Sequence, residues 1–196
     1  MALTLITGPV RSGKSRFAEL LATQSALPVT YVATARPDPA DLEWAERLSR
    51  HQERRPSGWQ LIETARHDGS LPEVLTHCQP DQCVLVDSLG TWLADQMLPD
   101  DAHEGSLGTQ SRLDKQTVQL LDSIRSCAAE LILVGEETGW GVVPAYPMGR
   151  CFRDRLGKLQ QDLAPLTQAC YLVVSGYALD LKKLGISVNA PVASGP

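Results

Sequence analysis

The most informative motif of this chain is Gly8-Pro9-Val10-Arg11-Ser12-Gly13-Lys14-Ser15. It fits the pattern G-x-x-x-x-G-K-[ST], follows the apolar run Leu3–Thr7 and precedes a segment with helical spacing. In such a strand–loop–helix unit, glycine lets backbone N–H groups face phosphate oxygens, and the helix N-terminus adds partial positive charge. Lys14 supplies a full charge, and the Ser15 hydroxyl can ligate Mg²⁺. The stretch therefore predicts a phosphate-binding loop, although a strand-to-helix turn that needs glycine would look the same.

Around this loop, short β-like runs alternate with segments of helical spacing. This alternation indicates the α/β class, with a mostly parallel sheet flanked by helices, as in P-loop NTPase-like (RecA-like) proteins. The predicted strands are Leu3–Thr7, Val29–Ala33, Gln60–Glu63, Cys83–Asp87, Leu131–Val134 and Tyr171–Ser175. The predicted helices are Lys14–Ser25, Ala40–Glu53, Leu71–Cys78, Leu89–Met97, Ser111–Ala129 and Arg150–Leu166. Pro99–Gln110 is predicted to be a surface loop.

Length and composition fit one globular domain. The chain has 196 residues, of which 43% are hydrophobic and 21% charged, so one sizeable core can form. Because the sequence contains no repeat and no linker, we expect a single domain over residues 1–186 and a flexible tail over 187–196. The net charge is −5 and the basic residues are scattered, which argues against nucleic acid as a partner.

Cysteine usage and hydropathy indicate the compartment. The five cysteines are odd in number, have no C-x-x-C spacing and lie in apolar segments, as free thiols of a reducing cytosol do. No apolar stretch approaches the roughly 18 residues that a membrane span needs, and the N-terminus lacks the basic region of a signal peptide. We therefore expect a cytoplasmic protein without a membrane span.

Asp87 is the candidate carboxylate for a metal bound with the phosphates. It follows the apolar run Cys83–Val86, so its side chain should emerge at the same sheet edge as the phosphate-binding loop. Ser15 and Asp87 are thus the predicted Mg²⁺ ligands. An alternative role for Asp87 is to cap the helix that begins near Leu89, and the two roles are compatible.

Asp87-Ser-Leu-Gly90 also fits the D-x-x-G pattern of regulatory GTPases, a non-enzymatic class. The chain has no N-K-x-D segment to read a guanine base. The switch hypothesis is therefore disfavoured.

A second unusual segment is Arg47–Pro56, which holds four arginines and His51. One interpretation is a solvated helix end that Pro56 and Gly58 terminate. The other is a covalent site, in which a neutral imidazole is the nucleophile and guanidinium groups hold phosphate oxygens. Spacing alone leaves both interpretations open.

Six blocks in order along the chain resemble the bifunctional adenosylcobinamide kinase / adenosylcobinamide-phosphate guanylyltransferase family. Four of these blocks are Thr7–Arg16, Tyr31–Ala35, Arg47–Trp59 with its central His51, and Val84–Asp87. Gly135–Pro144 resembles the family segment N-E-x-G-x-G-[IV]-V-P, with Glu136 in place of the usual Asn. Phe152–Asp154 together with Leu172–Gly176 resembles the C-terminal helix and last strand. The resemblance spans residues 2 to about 178.

The resemblance implies a site and two reactions. Adenosylcobinamide would be phosphorylated by ATP or GTP, with Lys14 as a catalytic residue, and adenosylcobinamide phosphate would receive GMP through guanylylated His51. A homotrimer is also implied. The family's nucleotide contacts carry over to Gly8, Pro9, Val10, Arg11, Ser12, Gly13, Lys14, Ser15, Thr34, Ala35, Arg36, Gln52, Glu53, Arg54, Arg55, Glu63 and Asp87. His67, His77 and His103 match no family motif and are expected to be surface or packing histidines.

Overall fold

The computed structural model describes residues 2–36, 55–64, 69–98 and 107–188, without the side chains of 107–109. Seven strands alternate with helices along these segments. The strands are β1 (Leu3–Gly8), β2 (Val29–Ala33), β3 (Gln60–Glu63), β4 (Cys83–Asp87), β5 (Glu130–Glu136), β6 (Ala169–Val174) and β7 (Tyr177–Asp180). The helices are α1 (Lys14–Gln24), α2 (Leu71–Thr76), α3 (Leu89–Met97), α4 (Leu107–Ser126), α5 (Pro147–Leu163) and α6 (Leu181–Leu184), with a 3₁₀ turn at Ala164–Leu166.

The strands form one sheet in the order β3-β2-β4-β5-β1-β6-β7. All neighbours are parallel except β6 and β7, which pair antiparallel. In the centre of the sheet, Gly8 of β1 lies opposite Glu136 of β5, and Asp87 of β4 lies opposite Ala33 of β2. Since parallel strands share their direction, the residues that follow β1 to β5 meet at one carboxyl edge.

Both faces of the central strands are buried, as expected for parallel strands. Alternate residues of each strand point to opposite faces, so the core consists of two clusters. On one face Leu5, Val86 and Leu133 belong to a large cluster that includes buried residues of α2 to α5. On the other face Ile6, Leu85 and Ile132 pack with α1. The four buried cysteines contribute to these clusters, and Cys151 is half-buried; all five are free thiols.

The predicted parallel α/β fold is confirmed, and each predicted strand is present within two residues of its predicted ends. Several expectations were wrong in extent. The helices predicted over Ser111–Ala129 and Arg150–Leu166 each begin and end three or four residues earlier, at Leu107–Ser126 and Pro147–Leu163. The predicted loop Pro99–Gln110 ends in helix, because α4 begins at Leu107, and the last predicted strand is followed by an unpredicted strand β7 and short helix α6. The predicted helix Ala40–Glu53 and residues 189–196 of the predicted tail lie outside the described residues. In the part of the chain that the structure describes, no helix combines the length and the apolar character that crossing a membrane requires.

Candidate active site

Apart from Arg55, which precedes β3, the predicted site residues that the structure describes belong to the carboxyl edge of the sheet or to the segments that follow it. The loop Gly8–Ser15 joins β1 to α1, Thr34 follows β2, and Glu63 and Asp87 are the last residues of β3 and β4. Glu136, the last residue of β5, lies between the ends of β1 and β4. The edge therefore combines a glycine-rich loop and a helix N-terminus with three carboxylates.

The loop has the backbone of a phosphate cradle. Gly13 has a φ of 100°, a left-handed conformation that suits glycine, and Arg11 has a φ of 58°. A hydrogen bond from Ser12 N to Pro9 O (3.3 Å) closes the turn, and Phe17 N donates to Gly13 O (2.9 Å) as α1 begins. Lys14 Nζ lies 3.4 Å from Pro9 O, so its ammonium group is folded back over the loop. The arrangement places positive charge and a helix N-terminus at one point.

Ser12 shows that the cradle suits a polar ligand. Its side chain is buried, and its Oγ is the one buried side-chain polar atom without a hydrogen-bond partner among the described residues. Leaving a buried hydroxyl unpaired is costly, so such an atom in a native structure indicates a missing partner. A phosphate oxygen in the cradle would supply one. The residues present therefore fit a bound nucleotide phosphate.

Asp87 is oriented by a neighbouring strand. Tyr31 Oη donates a 2.9 Å hydrogen bond to Asp87 Oδ2, and the guanidinium of Arg55 lies 4.0 Å from the centre of the Tyr31 ring. Burial, together with the negative charge of Asp87, raises the pKa of the Tyr31 phenol, so the phenol remains a donor. Arg55, the last arginine of the predicted histidine segment, thus contacts the residue that holds the predicted metal carboxylate.

The capping role considered for Asp87 belongs instead to Ser88. Ser88 is the N-cap of α3: its Oγ accepts from Thr91 N, and the Thr91 side chain accepts from Ser88 N in a reciprocal capping box. Thr34 supports the same turn, because its buried Oγ1 accepts from Ser88 N (2.9 Å) and donates to Ser88 O (2.6 Å). The Asp87 carboxylate is therefore not the cap of α3.

Glu136 joins the end of β5 to the start of α3. Its Oε1 accepts a hydrogen bond from Ser88 Oγ, and its Oε2 accepts from Gly90 N at 2.9 Å. Gly90 makes this approach possible, since a Cβ there would lie 2.1 Å from Oε2. Burial raises the pKa of the Glu136 carboxyl, whereas the Ser88 hydrogen bond and the positive charge of Lys14 act in the opposite direction.

Glu137, the next residue, joins β5 to the cradle itself. Its N–H donates to Gly8 O (2.9 Å), and its Oε1 lies 2.6 Å from Thr7 Oγ1. Gln160 of α5 lies on the other side of the same hydroxyl, 2.7 Å from it, and donates through Nε2 to Glu136 O. This polar network fixes the loop after β5 against the first residue of the cradle.

The remaining predicted contacts divide into three groups. Arg36 forms an ion pair with Asp95 of α3, with Nε and Oδ1 2.7 Å apart, so in this structure its charge is paired with a residue of that helix. Glu63 and Ala35 lie at the same edge as Asp87. His51, Gln52, Glu53 and Arg54 lie outside the described residues, as do His67 and His103. His77 is exposed at the C-terminus of α2, in agreement with its predicted surface role.

Sequence reasoning missed Tyr31, Ser88 and the supporting role of Glu136. Glu136 could have been found, because it ends an apolar strand run just as Asp87 does. Ser88 had a weaker signal, a serine immediately before a helical run. Tyr31 had none, because its partner Asp87 is 56 residues away and becomes a neighbour only when β2 pairs with β4.

The parallel sheet, the glycine cradle before α1 and the strand-end carboxylate together define a P-loop nucleotide-binding enzyme. A solved type III secretion ATPase of pathogenic bacteria shares the fold: it superposes on 95% of this chain and 59% of its own with a TM-score of 0.52 at 8% identity.

Sequence comparison identifies the family to which this P-loop enzyme belongs. A family model described as cobinamide kinase / cobinamide phosphate guanyltransferase matches residues 4–181. The bifunctional adenosylcobalamin biosynthesis protein CobP of Pseudomonas aeruginosa is 37% identical over 91% of this chain and 96% of its own. The bifunctional protein CobU of Salmonella typhimurium is 32% identical over 92% of this chain and 99% of its own. The chain belongs to the cobinamide kinase / cobinamide phosphate guanyltransferase family and is a nucleotide-using enzyme of cobalamin biosynthesis.

Proposed function

We propose that one nucleotide site serves both reactions of the family in this chain and that His51 carries GMP between them. The supporting observation is the juxtaposition at the carboxyl edge: the cradle with Lys14 lies at the same edge as the Asp87–Tyr31–Arg55 contacts. Arg55 follows His51 by four residues in the sequence. This proximity in sequence supports a role for His51 at the same site.

In the kinase reaction, the hydroxyl of the aminopropanol arm of adenosylcobinamide attacks the γ-phosphate of ATP or GTP. A new P–O bond forms, the bond between the β–γ bridging oxygen and the γ-phosphorus breaks, and the nucleoside diphosphate leaves. Lys14 and the loop N–H groups stabilise the charge that spreads over the transferring phosphoryl group. A Mg²⁺ ion held by the Ser15 hydroxyl and the Asp87 carboxylate would neutralise phosphate charge there, and Tyr31 keeps that carboxylate oriented.

In the guanylyl transfer, an imidazole nitrogen of His51 attacks the α-phosphorus of GTP and pyrophosphate leaves. The phosphate oxygen of adenosylcobinamide phosphate then attacks the same phosphorus, and the P–N bond breaks to release adenosylcobinamide-GDP. Lys14 would hold the leaving pyrophosphate in the cradle. Arg54 and Arg55 follow His51 closely in the sequence and would hold the α-phosphate, as guanidinium groups do.

Label transfer tests this proposal. Protein incubated with α-labelled GTP and Mg²⁺ should carry acid-labile, base-stable label, since protonation of a phosphorylated imidazole makes the ring a better leaving group. γ-Labelled GTP should leave no label at this position. His51→Asn should abolish labelling and GMP transfer while sparing phosphorylation of adenosylcobinamide, because that step needs no imidazole.

His77→Asn is the matched control, because this histidine is exposed at the end of α2. It should label like the unsubstituted protein. Persistence of the α-label in the His51 variant would move the nucleophile elsewhere. A protein that phosphorylates adenosylcobinamide but never acquires the label would be a simple small-molecule kinase with an incidental histidine. We further propose that the enzyme works in the cytoplasm as a homo-oligomer, a trimer by resemblance to its family.

A further inference from the structure

The loop between β5 and α5 presents an unusual apolar surface. Trp140, Val142, Val143 and Tyr146 are 59%, 96%, 65% and 59% exposed, so four large apolar side chains within seven residues face solvent. We call these four residues the apolar platform. Single exposed apolar residues are ordinary, but four on one short loop indicate a binding surface.

The platform is held in place rather than loose. Arg153 of α5 donates from Nη2 to Gly139 O (2.8 Å) and from Nη1 to Val142 O (2.9 Å). Arg150 donates from Nη1 to Pro144 O (3.0 Å) and Ala145 O (2.7 Å). Two guanidinium groups thus draw four loop carbonyls toward α5. A loop ordered in this way before binding loses less conformational entropy when a ligand packs on it.

The platform is continuous with the phosphate cradle. Two residues before the loop segment Gly139–Tyr146, Glu137 donates its N–H to Gly8 O and contacts Thr7. β5 is also the direct neighbour of β1 in the sheet. A molecule that reacts with a phosphate in the cradle and is larger than the cradle must extend over a neighbouring loop, and this loop is both adjacent and apolar.

We propose that the apolar platform binds the corrin ring of the acceptor substrate in both reactions. This inference rests on the proposed function, which supplies the acceptor. A corrin ring is wide and carries methyl groups as well as polar amide arms, so its ring carbons and methyl groups offer apolar area that side chains such as Trp140 and Val142 can cover. The four exposed side chains would contribute packing area, while the reactive arm stays free to reach the cradle.

The test is direct binding of adenosylcobinamide, measured by equilibrium dialysis in dim light and read from the visible absorbance of the corrin. Trp140→Ala and the double variant Val142→Ser/Val143→Ser should each weaken binding by about tenfold or more, as expected when several buried methylene-sized groups lose their contact. The same fold-change should appear in the acceptor KM of both reactions. The dissociation constant for GTP and the GMP labelling of the protein should be unchanged.

The matched control is Ile186→Ser/Val188→Ser, a pair of equally exposed apolar residues after α6. It should leave corrinoid binding unchanged. Unaltered corrinoid affinity in the platform variants would overturn the proposal, and so would an equal loss of GTP affinity. If the platform variants changed only the oligomeric state in sedimentation, the surface would be an interface between copies of the chain instead.

Dialysis also separates this inference from the proposed function, since it requires no turnover. Wild-type protein that binds adenosylcobinamide at the platform but never acquires GMP would refute the role of His51 and leave the platform supported. If the wild-type protein acquires GMP normally but the platform variants bind adenosylcobinamide as tightly as the wild type does, the proposed function is supported and the platform proposal is refuted.

Discussion

Gly90→Ala tests how much the close contact between β5 and α3 contributes to the stability of the protein. The new Cβ would lie 2.1 Å from Glu136 Oε2 and 2.8 Å from Glu136 Cδ. Glu136 is tied at both carboxylate oxygens, to Ser88 Oγ and Gly90 N, so it cannot yield without losing hydrogen bonds. We expect Gly90→Ala to destabilise the protein although alanine is normally the better helix residue.

Two destabilising effects and one stabilising effect set the change in the free energy of unfolding. Losing a hydrogen bond to a charged group costs about 1.5–3 kcal/mol, and overpacking a tight site costs about 1–3 kcal/mol. These two costs do not add in full, because moving the carboxylate breaks its hydrogen bonds but relieves the overlap. Replacing glycine in a helix returns about 0.5–1 kcal/mol. The net loss should therefore be about 1–3 kcal/mol in the free energy of unfolding.

Urea unfolding with and without Glu136→Ala measures the effect. With a urea m-value of about 3 kcal/mol/M, the upper end for small proteins, a loss of this size should lower the urea midpoint of Gly90→Ala by roughly 0.3–1 M. In the Glu136→Ala background the obstructing carboxylate is absent, so adding Gly90→Ala should be neutral or slightly stabilising. Such a change of sign is the coupling that a double-mutant cycle detects.

Gly157→Ala provides the matched control. This glycine lies in α5, it is exposed, and an added Cβ would meet nothing within 4 Å. It should raise the free energy of unfolding by about 0.5–1 kcal/mol. If Gly90→Ala were equally destabilising with and without Glu136, the cost would arise elsewhere and our account of this contact would be refuted.

Three further predictions concern the cradle and its carboxylate. Lys14→Ala should slow both reactions by tens- to hundreds-fold or more, corresponding to about 2–4 kcal/mol of transition-state stabilisation; a full rate in either reaction would rule out a shared cradle. Asp87→Asn keeps the shape but removes the charge, so rates should fall and raised Mg²⁺ should restore part of them; since Ser88 is the cap, unchanged rates and Mg²⁺ dependence would leave Asp87 without the proposed role. Tyr31→Phe removes the donor to Asp87 and should raise the Mg²⁺ concentration needed for half-maximal rate several-fold while the circular dichroism spectrum is retained; an identical Mg²⁺ profile would contradict orientation by Tyr31.

The sequence predicted the central strands because both of their faces are buried. A run such as Cys83–Val86 is apolar throughout, which is the pattern of an interior parallel strand. β7 lacks that signal, since Tyr177 and Leu179 are exposed at the sheet edge. What specifies β7 is its turn: Ser175 and Gly176 have φ values of 50° and 82°, as a tight hairpin requires. A Ser-Gly pair after a strand was therefore the available signal.

The site was predictable only where one residue or one contiguous motif decides the chemistry. The cradle is such a motif, and Asp87 could be placed because a strand end fixes it. The hydrogen bond from Ser88 to Glu136 joins residues 48 apart, and that from Tyr31 to Asp87 joins residues 56 apart. Both depend on the order β2-β4-β5, which no local pattern specifies. The nucleophile His51 remains a prediction that rests on the family resemblance.

The strand order also explains how one cradle could serve attack at two different phosphates. The apolar platform follows β5, immediately beside β1 and the cradle, whereas Tyr31 and Arg55 belong to the β2 side. β4 and its Asp87 lie between the two, and with strands about 4.8 Å apart the two sides are separated by roughly 10 Å. An acceptor on the platform and a histidine from the Arg55 segment would therefore approach a bound nucleotide from different directions. On this arrangement the nucleotide keeps its place in the cradle while the attacking group changes, so loss of Lys14 should impair both reactions and loss of His51 only one.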